Sequence, residues 1–136
     1  MSLTDEDRRE TVRYRIEKAY RTLEEANRNV PFGSWTLVAN RLYYAAYYAA
    51  SSLLLADRCF VKSHEGNIQQ FGRLYITTKK LDSKYGKLYH QLFENRLTGD
   101  YDDRYDLTED DVFPMIAPTK EFVETVSRLA TETLNN

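Results

Sequence analysis

The stretch Asn40-Arg41-Leu42-Tyr43-Tyr44-Ala45-Ala46-Tyr47-Tyr48-Ala49-Ala50-Ser51-Ser52-Leu53-Leu54-Leu55 constrains the fold more than any other part of this chain. It reads as one long helix, with an arginine set among tyrosines, small residues and leucines. A helix that is apolar over most of its circumference is a central, buried one. Alanine and serine let neighbouring helices come close. Each tyrosine adds ring area and a hydroxyl that needs a partner. Ser34 is a suitable N-cap for this helix, which the pattern carries to about Asp57, roughly 35 Å at the ordinary rise per residue.

The flanking sequence supplies helices to surround it. Thr4 followed by Asp7 forms a capping-box-like start. Val12, Ile16, Ala19, Leu23 and Ala26 then recur at steps of three and four, up to Pro31-Phe32-Gly33. The opposite face of that first helix is dense in Arg and Glu and reads as solvent. Ser63 caps a short third helix through about Tyr75, with Ile68, Phe71 and Tyr75 inward, and Ile76 to Asp82 reads as a loop. A fourth helix carries Tyr85, Leu88, Tyr89, Leu92 and Phe93, and Gly99 is placed to end it. Thr108 with Asp111 marks the last N-cap, and Val112, Ile116, Val123, Val126, Leu129 and Ala130 form the last stripe. Pro114 and Pro118 lie inside that stripe. Each removes a backbone donor, so the last helix is expected to kink or restart there. The fold class is all-α: an up-and-down bundle of about five helices.

The 136 residues suit one domain with one core, spanning 1–136 without a repeat or a linker. Tyrosine is the unusual count, at 11, and several fall on the inward stripes. A formal net charge of -2 excludes a global basic field for nucleic acid. The charge is uneven, however. Arg58 to His90 holds seven Lys/Arg against two acids, and Glu94 to Asp111 holds eight acids against two arginines. These are either two solvated faces of opposite sign or a basic groove and an acidic loop for a partner. Cys59 is alone, which rules out an internal disulfide and suits a reducing cytoplasm. No signal peptide is visible at the N-terminus. Trp35 to Ala56 is long enough to span a bilayer, but Asn40, Arg41, four tyrosines and two serines argue against a membrane helix.

Two arginines stand where a surface residue would not. Arg96 continues the apolar stripe of Leu88, Leu92 and Phe93. Arg41 falls four residues after Leu37 and four before Ala45, inside the apolar block. A buried guanidinium must find anions or carbonyls, because leaving it unpaired costs several kcal/mol. Two readings follow. Each arginine has an internal carboxylate, Asp100 for Arg96 and an acid of another helix for Arg41, or one or both hold a phosphate by fork geometry.

Taken in order, Arg41-x-Tyr43-Tyr44-Ala45-Ala46-Tyr47, Leu53-Leu54-Leu55, Lys62-Ser63-His64-Glu65-Gly66, Phe71-Gly72, Leu92-x-x-x-Arg96-x-x-x-Asp100-Tyr101 and Phe122-Val123 resemble the HEPN (higher eukaryote and prokaryote nucleotide-binding) domain family. The series runs through nearly the whole chain. The resemblance implies a bundle of four or five helices, commonly a cytoplasmic homodimer. It implies a minimal nucleotidyltransferase partner, in pairs that resemble toxin–antitoxin systems. It also implies a nucleotide or RNA as ligand.

Many HEPN toxins are metal-independent RNases with an arginine, four to six residues, then a histidine. The arginine holds the scissile phosphate, and the histidine moves protons while the ribose 2'-hydroxyl attacks. Arg96 matches the arginine, but the histidine positions hold Tyr101, Asp102 and Asp103. An aspartate titrates near ~4 and a tyrosine near ~10, so neither is poised at pH 7. The chain instead resembles the subgroup with Arg-x-x-x-Asp-Tyr.

Other histidines are His90, which reads as a surface residue, and His64. The latter begins the third helix, beside Lys62 and Ser63, where the helix terminus favours an anion. His64 either makes a local hydrogen bond or meets Arg96 in a composite site, within one chain or across a dimer axis. The ligand-binding candidates are therefore Arg96, Asp100, Tyr101, Arg41, Tyr44 and His64. Any catalysis would draw on Arg96, Asp100, Tyr101 and His64. The acidic run from Asp100 to Asp111 fails the calcium-loop template, with Arg104 at position five and Tyr105 at position six, so no metal is expected. No cofactor motif is present. Three functions follow from these residues: a nucleotide- or RNA-binding protein, a weak or partner-activated metal-independent endoribonuclease toxin, or a structural interaction module in which both arginines are satisfied internally.

Overall fold

The computed structural model describes residues 3–102 and 106–136; Met1, Ser2, Asp103, Arg104 and Tyr105 lie outside the described residues. Six α-helices occur among the described residues: α1 (Asp5–Asn29), α2 (Trp35–Ala56), α3 (His64–Phe71), α4 (Ser83–Tyr101), α5 (Glu109–Val112) and α6 (Ile116–Leu134). No strand occurs among the described residues. The last helix restarts as expected at its prolines. One turn of α5 gives way to a 3-10 turn, Phe113–Met115, and Pro118 lies in the first turn of α6, where its missing donor is tolerated.

Helix α2 is the centre of the bundle and packs on α1, α4 and α6. From Ala49 to Ala56 every residue is buried. The alanines at 45, 46, 49 and 50 are wholly inaccessible, which lets the neighbouring backbones approach. Val12, Ala19, Leu23 and Ala26 of α1 and Phe122, Val123, Val126 and Ala130 of α6 close the core around it. Fully burying one such large apolar side chain is worth about 1.5–3 kcal/mol. The tyrosine excess is partly core: Tyr43, Tyr75, Tyr85 and Tyr89 are buried, whereas Tyr14, Tyr20 and Tyr101 are exposed.

Several local expectations hold. The Thr4 hydroxyl accepts from the Asp7 N–H at 3.0 Å, and the Ser63 hydroxyl accepts from the Gly66 N–H at 2.9 Å. The Thr108 N–H donates to the Asp111 carboxylate at 2.9 Å, closing the expected capping box. Ser34 occupies the N-cap of α2 without a side-chain cap bond; Gly33, at φ +66°, makes the turn from the preceding helix.

Three details differ. Helix α3 ends at Phe71, and the chain passes into a π turn, Gly72–Ile76, closed by the Thr77 N–H on the Gly72 carbonyl at 2.9 Å. Gly99 does not end α4, which runs on to Tyr101. A Cβ on Gly99 would come within 3.0 Å of Leu107 Cδ1 and of Thr36 Cγ2, so the glycine serves close approach rather than a helix stop. Arg8, one turn before Val12 on the inward side of α1, is a buried charge that the sequence reading did not single out. Its Nη1 donates to the Ala56 carbonyl at 2.7 Å and its Nη2 to Asp5 Oδ1 at 2.8 Å, which satisfies the C-terminal end of α2.

Candidate functional site

Because α4 continues through Gly99, Asp100 and Tyr101 lie one turn beyond Arg96 on the same helix. Arg96 Nε donates to Asp100 Oδ2 at 3.2 Å, and Nη2 donates to the Tyr101 hydroxyl at 3.3 Å. The guanidinium carbon lies 5.4 Å from the Tyr44 ring, 5.7 Å from Tyr43 and 5.5 Å from Tyr101. These contacts combine a charge-assisted hydrogen bond with ring quadrupole attraction. The Arg96 side chain keeps 12% of its surface open, so the internal pairing with Asp100 does not close it off.

Arg41 is a half-exposed residue rather than a buried one. Its side chain is 27% accessible. Its Nε and Nη2 both donate to Asn40 Oδ1, at 3.0 and 2.8 Å, and its Nη1 lies 3.9 Å from Glu25 Oε1 of α1. The expected acid on another helix is thus Glu25. Arg41 turns toward α1 and joins the Arg96 corner through Asn40, whose Nδ2 donates to Asp100 Oδ2 at 3.0 Å. Tyr44 lies between the two cations, 5.2 Å from one guanidinium and 5.4 Å from the other.

His64, the first residue of α3, reaches the same two tyrosines. Its ring is 5.7 Å from Tyr43, 5.8 Å from Tyr44 and 4.6 Å from Tyr47. Its Nδ1 lies 2.6 Å from the Tyr43 hydroxyl. Burial first, and the Arg96 charge second, hold its pKa below the ordinary value, against a weaker opposing pull from Glu65. Arg96 and His64, from different helices, therefore sit over one tyrosine floor. Ser63 is occupied by the cap, and Lys62 is exposed on the connector.

The tautomer of His64 decides what this corner can do. Tyr43 is wholly inaccessible, and burial pushes its phenol pKa well upward, so it keeps its proton. Tyr89, stacked on it at 6.1 Å, gives its own hydroxyl proton to Asn67 Oδ1 at 2.7 Å. The 2.6 Å contact is met by the Tyr43 proton pointing at Nδ1 or by an Nδ1–H pointing at the Tyr43 oxygen, according to the tautomer. In the first arrangement the neutral imidazole carries its hydrogen on Nε2 and presents a donor. With the Arg96 fork beside it, the corner offers donors to an anion and stacking surface for a ring.

Tyr43 and Asn40 are the site residues that sequence reasoning passed over. Tyr43 was visible in the Arg41-x-Tyr43 spacing but looked like core, which it also is. Asn40 carried no signal, since its role depends on α4 lying alongside α2. Behind Tyr43 runs a satisfied polar chain: Tyr89 to Asn67, and Asn67 Nδ2 to the Ser51 hydroxyl at 3.0 Å. His90 is exposed and 3.6 Å from Glu94. Among the described residues no three His, Cys, Asp or Glu converge as metal ligands; Asp103 of the acidic run lies outside the described residues. No described helix is long and apolar enough to cross a membrane.

Comparison with known proteins finds relatives of this chain. A family model described as HEPN domain matches residues 12–129. A protein of Thermotoga maritima named "UPF0332 protein" is 36% identical over 90 residues, covering 66% of this chain and 68% of that one. Two proteins of Methanocaldococcus jannaschii are also similar. "Putative toxin MJ0142" is 30% identical over 87 residues, 64% of this chain and 59% of its own length. "Putative toxin MJ0605" is 26% identical over 133 residues, 98% of each chain.

Proposed function

The chain belongs to the HEPN domain family, and from that membership and the corner above we propose that it is a nucleotide- or RNA-binding helical protein of a toxin–antitoxin-like pair, working as a homodimer with a minimal nucleotidyltransferase partner. The observation that carries the binding reading is the meeting of Arg96 and His64 over Tyr43 and Tyr44. A phosphate oxygen suits the Arg96 fork, and the Nε2 hydrogen of His64 suits a second oxygen. Tyr101 is 68% exposed and stands at the edge of the corner as a stacking surface. Stacking of a base on such a ring is worth about 1–3 kcal/mol. The toxin names of the two archaeal relatives support the toxin-like context; the partner and the dimer follow from the family resemblance.

The test is binding of a short single-stranded RNA and of ATP, followed by fluorescence anisotropy and calorimetry. Arg96→Ala is expected to weaken binding at least about tenfold and to lower the salt slope by about one phosphate contact, with helical content unchanged. Equal binding by the wild type and Arg96→Ala overturns the reading.

One observation favours a second reading, the metal-independent endoribonuclease. A histidine from α3 stands beside Arg96, near the motif that lacks its own. In that case Nε2 would have to lose its hydrogen to act as a base, which requires the Tyr43 hydroxyl to become an acceptor. Incubation with RNA in the presence of chelator discriminates. Cleavage abolished by both Arg96→Ala and His64→Gln supports it, and no cleavage by the wild type removes it.

A further inference from the structure

A cavity of about 310 Å3 lies between α1, the middle of α2 and the connector leading into α3. That volume is at the low end of ordinary small-ligand pockets. Two cations one turn apart on α1, Arg15 and Lys18, line it together with Tyr14, Tyr47 and Tyr48, and no carboxylate is among its lining residues. Arg15 makes a 3.3 Å hydrogen bond to the Ser51 carbonyl and has no ion pair among the described residues. Burial lowers its pKa, the cost of holding a guanidinium away from water without an anion. The Lys18 ammonium rests 4.6 Å from the Tyr48 ring and 5.9 Å from Tyr14, again with no ion pair among the described residues. The polar wall behind them is already committed, since the Asn67 amide serves Ser51 and Tyr89. What the cavity lacks is a negative charge, and what it offers besides cations is aromatic and aliphatic wall, with Leu54 and Val61 completing the apolar side.

We propose that this cavity is a second ligand site, taking a phosphate monoester joined to a flat ring, the chemistry of a mononucleotide. The phosphate lies at Arg15 and Lys18, and the ring lies against the tyrosine wall. This site is distinct from the Arg96 corner, although Tyr47 belongs to both: it lines the cavity and contacts the His64 ring at 4.6 Å.

Cys59, the chain's single cysteine, also lines the cavity and reports on its occupancy. The experiment measures the rate at which a thiol reagent modifies Cys59 in the presence of AMP, adenosine or inorganic phosphate at equal millimolar concentration. AMP is expected to slow modification at least about fivefold, and adenosine or phosphate alone much less. Lys18→Ala and Arg15→Gln are expected to abolish the protection, while Arg96→Ala keeps it. Lys18→Ala serves if Arg15→Gln fails to fold, because the Lys18 head group rests on the Tyr48 ring and makes no hydrogen bond or ion pair among the described residues. Absence of AMP protection in the wild type overturns the proposal. So does protection that survives Lys18→Ala, or protection lost in Arg96→Ala, which would place the ligand at the other corner. Adenosine or phosphate protecting as well as AMP overturns the assigned ligand chemistry.

Discussion

Replacing Tyr43 with phenylalanine removes one oxygen and keeps a ring packed against Tyr44, Tyr47, Tyr89 and Phe93. What is lost is the 2.6 Å bond to His64 Nδ1. A buried hydrogen bond of this kind contributes about 1 kcal/mol net, so the variant is expected to lose about that much stability. The more telling effect is on His64. If the Tyr43 hydroxyl donates to Nδ1, the bond favours the neutral imidazole, and its loss makes protonation about fivefold easier for ~1 kcal/mol. The His64 pKa, held low by burial and by Arg96, then rises in Tyr43→Phe. If instead Nδ1 carried the hydrogen and donated to Tyr43, the bond would favour the charged ring, and its loss would lower the pKa. The two arrangements predict opposite signs. The assay is a proton–nitrogen NMR titration of the histidine rings, with exposed His90 as the reference within the molecule. The expected result is an Nε2–H tautomer in the wild type and a raised pKa in the variant. An Nδ1–H tautomer, or a pKa that falls or stays fixed, refutes the donor assignment.

Other consequences can be checked separately. Asn67→Leu leaves the buried hydroxyls of Tyr89 and Ser51 without their partner; a loss of roughly 2–4 kcal/mol is expected by urea denaturation, and less than about 0.5 kcal/mol would contradict the buried polar chain. Since the His64 pKa is lower in the folded chain, the unfolded chain binds the proton first as pH falls below about 6.5. Stability should therefore decline in that window, and His64→Gln should flatten the slope; an unchanged slope would exclude His64 as its source. Gly99→Val places a branched side chain where a Cβ already meets Leu107 and Thr36 at 3.0 Å. An overpacking cost of about 1–3 kcal/mol should appear in thermal unfolding, and a neutral result would mean that α4 does not approach so closely.

The central helix was legible from its pattern, because a helix with so little polar surface lies in a core or a membrane, and Asn40, Arg41 and the tyrosines argued against the membrane. The restart at Pro114 and Pro118 was legible too, since a missing donor acts locally. Gly99 was misread because a glycine before acidic residues looks like a helix stop, whereas its reason is the space taken by Leu107 and Thr36. Arg8 lies one turn before Val12 on the inward stripe, but only the position of the Ala56 carbonyl explains a buried guanidinium there. In the site, the Arg96–Asp100 pair followed from i,i+4 spacing. Arg41 did not follow, because residues on a helix rim satisfy the same periodicity as buried ones. The placement of His64 beside Arg96 depends on α3 folding back over α2, which no spacing within one helix encodes.

The proposed function has Arg96 and His64 hold one phosphate together. A double-mutant cycle on RNA affinity tests it most directly, with wild type, Arg96→Ala, His64→Gln and the double variant measured at fixed salt. Both single variants are expected to bind more weakly, and the double variant to be less impaired than the sum of the two, with a coupling of about 1 kcal/mol or more. Strictly additive losses, or a His64→Gln variant that binds as the wild type does, would contradict it.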